Sequence, residues 1–211
     1  MKKFVSLLSG GLDSPVAAYL MIKRGFSPIF LSFLTSDDKN TTMKKKIVQI
    51  VGKLSQNLNS EVKLYLFNHD PNLDVFKECC ERKLTCVLCK RLMIRTASMI
   101  GKRENTNIIV TGDILGEQAS QTISNLFAYN TLVRDFIILR PLIGCDKLNV
   151  IKLNEKIGLY DICSQYSAGC EYNPQYPETN AKIREVDNAE SVIDYEDLLN
   201  TSLENAEILI F

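Results

Sequence analysis

The sequence predicts an α/β protein built on a doubly wound, mainly parallel sheet of about five strands with helices on both faces. Three observations predict it. Short, continuously apolar runs alternate with longer stretches whose apolar residues recur at helical spacing, the pattern of parallel strands joined by crossover helices. The first run passes through a Gly-Gly turn directly into a helix. The 211 residues are 45% apolar and 24% charged, enough for one domain whose core needs no disulfide or metal staple.

Lys3 to Leu8 is the first strand, and Ser14 to Arg24 the first helix, with Val16, Ala17, Leu20 and Met21 on its apolar face. Pro28 to Leu34 reads as a buried strand, Thr41 to Leu58 as an amphipathic helix and Val62 to Phe67 as the third strand. Leu73 to Arg82 and Val87 to Lys102 have helical periodicity. Asn107 to Thr111 is a strand ending in Gly112-Asp113, Thr122 to Phe127 a short helix and Phe136 to Leu139 a strand. Asp146 to Ile157 is a helix capped by Asp146 and stopped by Gly158. Tyr166 to Tyr176 reads as a loop, and beyond it Tyr195 to Leu203 is the one further helical stretch. Ligands of such sheets bind beyond the carboxyl ends of the strands, which gathers Ser9 to Ser14, Ser32 to Thr35 and Gly112 to Gln121 around one crevice.

Composition excludes several classes. No apolar stretch reaches the roughly 18–20 residues that span a bilayer. The start, MKKFVSLLSGG, resembles an export signal, but the apolar run ends at Ser9 with no small-residue cleavage site after it, so a cytoplasmic protein is expected. Seven cysteines in a reducing compartment do not form a disulfide framework. The charges balance at 25 basic and 25 acidic residues, yet residues 185–211 hold eight acidic residues and no basic one. The expectation is a basic domain over residues 1–184, suited to a polyanion or simply solvated, followed by an acidic C-terminal tail over 185–211.

Ser9-Gly10-Gly11-Leu12-Asp13-Ser14 turns strand into helix. Glycines allow the tight turn and close approach of backbone N–H groups to an anion, the serines offer hydroxyls, and the helix N-terminus adds positive potential. Asp13 would repel a bare phosphate, which implies Mg²⁺ between them. No Gly-Lys-Ser/Thr follows, so this is not a Walker A loop.

SGGLDS after an N-terminal strand resembles the PP-loop ATP pyrophosphatases. LLSGGLDSPVAAYLMIKRG, CKRLMIRTAS, VTGDILGEQASQTISNL and ILRPLIGCDK, in this order, resemble the catalytic domain of the 4-thiouridine synthetase (ThiI) family over about residues 3–180. The resemblance implies cleavage of ATP between its α and β phosphates and adenylation of a carbonyl oxygen. It also implies nucleotide contacts from Leu8, Ser9, Gly10, Gly11, Asp13, Ser14, Ser32, Phe33, Lys90, Gly112 and Gln121, with Arg91 an alternative to Lys90. Family members carry an RNA-binding THUMP region before this domain and, in many bacteria, a rhodanese domain after it. Neither is expected within these residues, which points to a separate THUMP-type partner.

Cys86 and Cys89 form a CxxC at a predicted helix start beside Lys90 and Arg91, where helix dipole and cations are expected to lower thiol pKa. Cys170 stands where the ThiI family carries its reactive cysteine. Three thiolates leave one iron of a [4Fe–4S] cluster open for sulfide, the arrangement the archaeal members imply. A persulfide relay with Cys170 as carrier and Cys89 or Cys86 as partner stays open, as do buried structural thiols and zinc on Cys79, Cys80, Cys86 and Cys89. Cys145 is assigned nothing, and Cys163 is an unfavoured replacement ligand. His69 reads as a lone surface histidine, Lys44 to Lys46 as a solvated helix face, and Tyr166, Tyr172 and Tyr176 with Lys182 and Arg184 as an RNA-contact group or packed loop residues.

The expected function is therefore an ATP-dependent sulfurtransferase that adenylates a tRNA uridine and replaces its oxygen with sulfur. Asp13, Cys86, Cys89 and Cys170 are the catalytic candidates, and Cys86, Cys89 and Cys170 the metal ligands. ATP, Mg²⁺ and the cluster are the cofactors, tRNA the substrate, and sulfide or a cysteine desulfurase the sulfur donor; a homodimer is compatible with this reading. The alternatives are a PP-loop enzyme acting on a small molecule and a sulfur-carrying or nucleotide-binding subunit.

Overall fold

A computed structural model describes residues 2–35, 42–56, 58–166 and 169–211. The five apolar runs are five parallel strands: β1 (Lys3–Leu7), β2 (Ser27–Leu34), β3 (Lys63–Asn68), β4 (Ile108–Val110) and β5 (Ile137–Leu139). They read as continuous runs because helices bury both faces of the central strands. The strand order is β5-β4-β1-β2-β3-β6, in which β6 (Glu207–Ile210) is a sixth strand, antiparallel to β3.

One face is covered by α1 (Asp13–Lys23), α2 (Thr42–Ser55), α6 (Lys147–Lys156) and α7 (Tyr160–Cys163), which pack Val16, Ile50, Val150 and Cys163 with Phe4 and Phe30 of the sheet. The other carries α3 (Asp70–Cys79), α4 (Thr85–Arg103), α5 (Ile123–Asn130), α8 (Ile183–Glu190) and α9 (Tyr195–Glu204), which pack Phe76, Leu88, Tyr129 and Val186 with Val5 and Phe67. Thr41, the expected first residue of the second helix, lies outside the described residues.

The acidic segment differs from expectation. It holds α9 as anticipated, but also most of α8 and all of β6, whose Ile210 to Glu207 pair with Lys63 to Leu66. Its charges are partly internal. Glu190, 8% exposed, receives Arg91 Nε at 2.7 Å and Nη2 at 2.6 Å, and Arg95 Nη2 at 2.8 Å. Glu207 receives Lys44 at 2.6 and 2.8 Å. Residues 185–211 thus share sheet and core with residues 1–184. The lysine run is also corrected: Lys44 is ion-paired, and Lys46, 2% exposed, donates to Gln165 O at 2.8 Å.

The chain passes from β1 through β2 to β3, then crosses back to place β4 on the other side of β1. The strand order reverses between β1 and β4, and the crevice beyond Leu7 and Val110 is where such sheets bind ligands.

Candidate active site

Leu8 to Ser14 occupies that crevice. Leu8 N donates to Leu31 O at 2.8 Å, prolonging the β1–β2 pairing, and the loop then closes on itself. Ser9 N donates to Ser14 Oγ at 2.9 Å, the two hydroxyls lie 3.0 Å apart, and Gly11 N donates to Ser9 Oγ at 3.3 Å. No side chain caps α1, so its first-turn N–H groups remain available to an anion. Gly112, after β4, lies against this turn so closely that a Cβ there would be 2.6 Å from Ser14 N and Cα.

The resulting cavity, about 260 Å³, is lined by Leu8, Ser9, Gly10, Asp13, Ser14, Phe33, Lys90, Gly112 and Gln121 among others. Nine expected nucleotide contacts thus share one wall. Two do not: Gly11 is exposed beside it, and Ser32 is fully buried, donating to Leu8 O at 2.8 Å as a strap between β1 and β2. Gln121 is held by Ile114 N, which donates to its Oε1 at 3.4 Å.

Two basic groups order the carboxylates here. Lys147, at the start of α6, places Nζ 2.7 and 2.8 Å from the two oxygens of Asp13. Lys90 Nζ lies 2.9 Å from Asp113 Oδ1, while Asp113 Oδ2 accepts from Thr111 Oγ1 at 2.6 Å and Arg140 Nε at 3.2 Å. Burial acts to raise the Asp113 pKa, but Lys90, Thr111 and Arg140 together hold it below the usual carboxylate range. Asp13 is the carboxylate at the mouth of the loop, its charge here balanced by Lys147. Arg91 is no substitute for Lys90, because one residue, about 100°, further round the helix it points into the ion cluster with Glu190. Neither Lys147 nor Asp113 was singled out from the sequence, although Asp113 follows Gly112 at a strand end.

A second cavity, about 420 Å³, adjoins the first and shares Ser9, Phe33, Met43, Lys90, Met93 and Gln118 with it. Cys86, Cys89 and Cys170 all line it, as does His69. The CxxC occupies the first turns of α4, whose N-terminus has no side-chain cap. The Cys170 loop is pinned over that start: Arg82 Nη2 donates to Tyr172 O at 3.3 Å, Cys86 Sγ to Asn173 Oδ1 at 3.6 Å, and Tyr172 OH to Asp74 Oδ1 at 2.8 Å. Tyr172 is thereby a packed loop residue, whereas Tyr166 and Tyr176 are exposed.

The expected lowering of thiol pKa is reversed. Burial pushes Cys86 up, with the charge of Cys170 adding to it, and pushes Cys89 up much further. Desolvation outweighs the helix dipole and Lys90, whose ammonium is engaged by Asp113. Among the described residues, no three His, Cys, Asp or Glu side chains are grouped to hold a metal ion. The CxxC sulfurs face Asn173 and His69 rather than a common centre. Cys79 and Cys145 are exposed, and Cys163 is buried on the opposite face of the sheet.

His69 is not a surface residue. It is 2% exposed at the end of β3, with Nε2 3.1 Å from Cys89 Sγ, and burial lowers its pKa to about 4 against a smaller opposing effect of Asp70. Its ring meets Phe33 edge-on, with centroids 5.1 Å apart, and Phe33 stacks on Phe67 at 4.8 Å.

The model of the family described as Thiamine biosynthesis protein (ThiI) matches residues 1–195. The chain belongs to the ThiI family. Its PP-loop domain is 39% identical to a probable tRNA sulfurtransferase of Methanosarcina mazei over 210 residues, 98% of this chain and 51% of the relative. A probable tRNA sulfurtransferase of Methanocaldococcus jannaschii is 36% identical over 184 residues, 87% of this chain and 48% of that protein. Among solved structures, a 4-thiouridine synthetase in complex with RNA and with bound ATP superposes with a TM-score of 0.94 at 26% identity, covering 100% of this chain and 55% of that one. This ThiI-family chain therefore spans about half the length of the curated relatives it matches.

Proposed function

We propose that this chain is the catalytic part of an ATP-dependent tRNA sulfurtransferase of the 4-thiouridine type, acting in the cytoplasm. The observation that carries this reading is the shared wall between the phosphate-loop cavity and the cavity lined by Cys86, Cys89 and Cys170. Activation and sulfur delivery then address one carbon from two sides. The ThiI membership and the RNA-bound, ATP-bound synthetase among its structural relatives support the substrate and the nucleotide.

In this reading the triphosphate lies on Ser9 to Ser14 and adenine lies near Phe33. Asp13 holds Mg²⁺, which offsets charge on the phosphates. A uridine carbonyl oxygen attacks the α phosphorus, the bond to pyrophosphate breaks, and the N–H groups of the loop with Lys90 stabilise the charge that develops. The outer sulfur of a Cys170 persulfide attacks the activated carbon, AMP leaves with the oxygen, and the proton is lost. A thiol of the CxxC then attacks Cys170 Sγ, which releases the thiolated base and leaves a protein disulfide for a dithiol reductant to reopen. A cysteine desulfurase passes sulfane sulfur to Cys170 to form the persulfide, or sulfide attacks the protein disulfide at Cys170 and expels the CxxC thiolate. A THUMP-type protein presents the RNA.

A [4Fe–4S] cluster on Cys86, Cys89 and Cys170 is the second reading, favoured by their opening on one cavity. The partners already facing Cys86 and Cys89 favour separate thiols. Iron and acid-labile sulfide analysis of anaerobically purified protein separates the two, and stoichiometric iron lost on Cys170→Ala would overturn the persulfide reading. Binding to tRNA should weaken steeply with salt, and a salt-independent affinity would oppose an RNA substrate.

A further inference from the structure

The two sulfurs of the CxxC have opposite hydrogen-bond environments. Cys86 Sγ faces Asn173 Oδ1 at 3.6 Å, an acceptor that keeps the thiol proton on sulfur. Cys89 Sγ faces a ring nitrogen of His69 at 3.1 Å. That ring is fixed from several directions. The His69 backbone N–H donates to Leu34 O at 2.8 Å, its carbonyl receives Leu73 N at 3.1 Å, and its edge rests on Phe33.

The other ring nitrogen identifies the tautomer. Nδ1 is 3.4 Å from Asn72 Nδ2, which also donates to Ser202 Oγ of α9 at 3.1 Å. An amide nitrogen only donates, so Nδ1 accepts and the ring proton resides on Nε2, aimed at Cys89.

We infer that His69 is a positioning residue for sulfur transfer, whose Nε2–H holds the Cys89 sulfur and makes Cys89, not Cys86, the sulfur that attacks Cys170. This rests on the persulfide reading above and assigns which thiol acts in it. In a cavity that disfavours negative charge on sulfur, one pre-aimed N–H does locally what water does in solution. The acidic C-terminal segment takes part through Ser202, which orients Asn72 and thereby the ring.

The step can be isolated without RNA. Cys89 thiol attacks the inner sulfur of a Cys170 persulfide, the Cys89–Cys170 disulfide forms, and the persulfide S–S bond breaks. Its electron pair leaves with the outer sulfur, which takes up the thiol proton as hydrogen sulfide. No oxidant or reductant enters.

The test loads the full chain with inorganic polysulfide anaerobically, follows sulfide release, and maps the disulfide by peptide mass spectrometry. Wild type should give Cys89–Cys170. His69→Leu should slow its formation by about tenfold or more, the worth of one hydrogen bond to a charged sulfur, and shift pairing towards Cys86–Cys170. His69→Gln, whose amide N–H reaches the Nε2 position, should restore the wild-type pairing. Thermal melting checks folding, and His69→Asn, whose amide stops short of Cys89, replaces the leucine variant should that one unfold. Cys89–Cys170 formed at the wild-type rate without the Nε2 donor, or Cys86–Cys170 predominating in wild type, would overturn the assignment. Failure of wild type to carry any persulfide on Cys170 would overturn the relay itself and this assignment with it.

Discussion

Lys147 Nζ grips both carboxylate oxygens of Asp13, at 2.7 and 2.8 Å, across the mouth of the phosphate loop. The contact joins the start of α6 to the start of α1, and Asn154 of α6 fastens the same turn by donating to Leu12 O at 2.8 Å. Without that cation, Asp13 in the proposed complex would meet a polyphosphate with Mg²⁺ alone to offset the repulsion. Lys147→Met should therefore raise the KM for ATP in ATP–pyrophosphate exchange by about tenfold, about 1.4 kcal/mol. An unchanged KM would show that Lys147 only braces α6.

Gly112 leaves no room for a methyl group, because the atoms in the way are the backbone of Ser14. Gly112→Ala must push β4 and the phosphate loop apart, at a cost of about 1–3 kcal/mol. Urea unfolding should show this loss and nucleotide binding should fall with it. Gly116, which has open space around it, is not a useful control because its φ of +77° itself strains any other residue. Gly144→Ala, with nothing within 4 Å of the added carbon and no positive φ, should leave both measurements near wild type.

Arg91 and Glu190 form a buried pair with 3% and 8% of their side chains exposed. Removing one partner strands the other, so Arg91→Met should destabilise the protein by about 3–5 kcal/mol in urea unfolding. The double variant Arg91→Met, Glu190→Leu should recover much of the loss. A negligible effect of Arg91→Met would mean that α8 is not anchored to α4 through this pair.

His69 gives a pH signature with a definite sign. Its folded pKa of about 4 lies below the ordinary 6.5, so the unfolded chain binds the extra proton between those values. The stabilisation is present above pH ~6.5 and is lost as pH falls towards ~4, amounting to about 3 kcal/mol. Carboxylates held low, such as Asp113 and Glu190, lose their own contribution at lower pH in every variant. The difference between wild type and His69→Gln, measured by urea unfolding from pH 7 to 4, therefore isolates the histidine. A pH-independent difference would place its ring in contact with solvent.

Much of the fold was legible because parallel strands buried on both faces cannot hide their composition. PIFLSFL and NIIVT could be little else. β6 was not legible, since a four-residue edge strand with Ile208 and Ile210 half exposed has neither length nor alternation to mark it. The four-residue α7 and eight-residue α8 were too short to establish a period. At the site, SGGLDS announced itself because its glycines and serines act through backbone and hydroxyl groups that any strand-to-helix turn exposes. His69 did not, because Asp70-Pro71 reads locally as a turn, whereas Pro71 in fact lies in the first turn of α3 and the ring is buried by tertiary packing. The thiol pKa expectation failed for a related reason. Neighbours in sequence along a helix point in different directions, so the cations next to Cys89 serve Asp113 and Glu190 instead.

In the proposed reaction, adenylation and sulfur delivery share one crevice but depend on separate groups. The most direct measurement follows ATP–pyrophosphate exchange and thionucleoside formation side by side, with tRNA and a sulfane-sulfur donor such as inorganic polysulfide, in Asp13→Asn and Cys170→Ala. Asp13→Asn should lose both, while Cys170→Ala should keep pyrophosphate exchange and lose thionucleoside formation. Full sulfur transfer by Cys170→Ala would contradict delivery through this cavity.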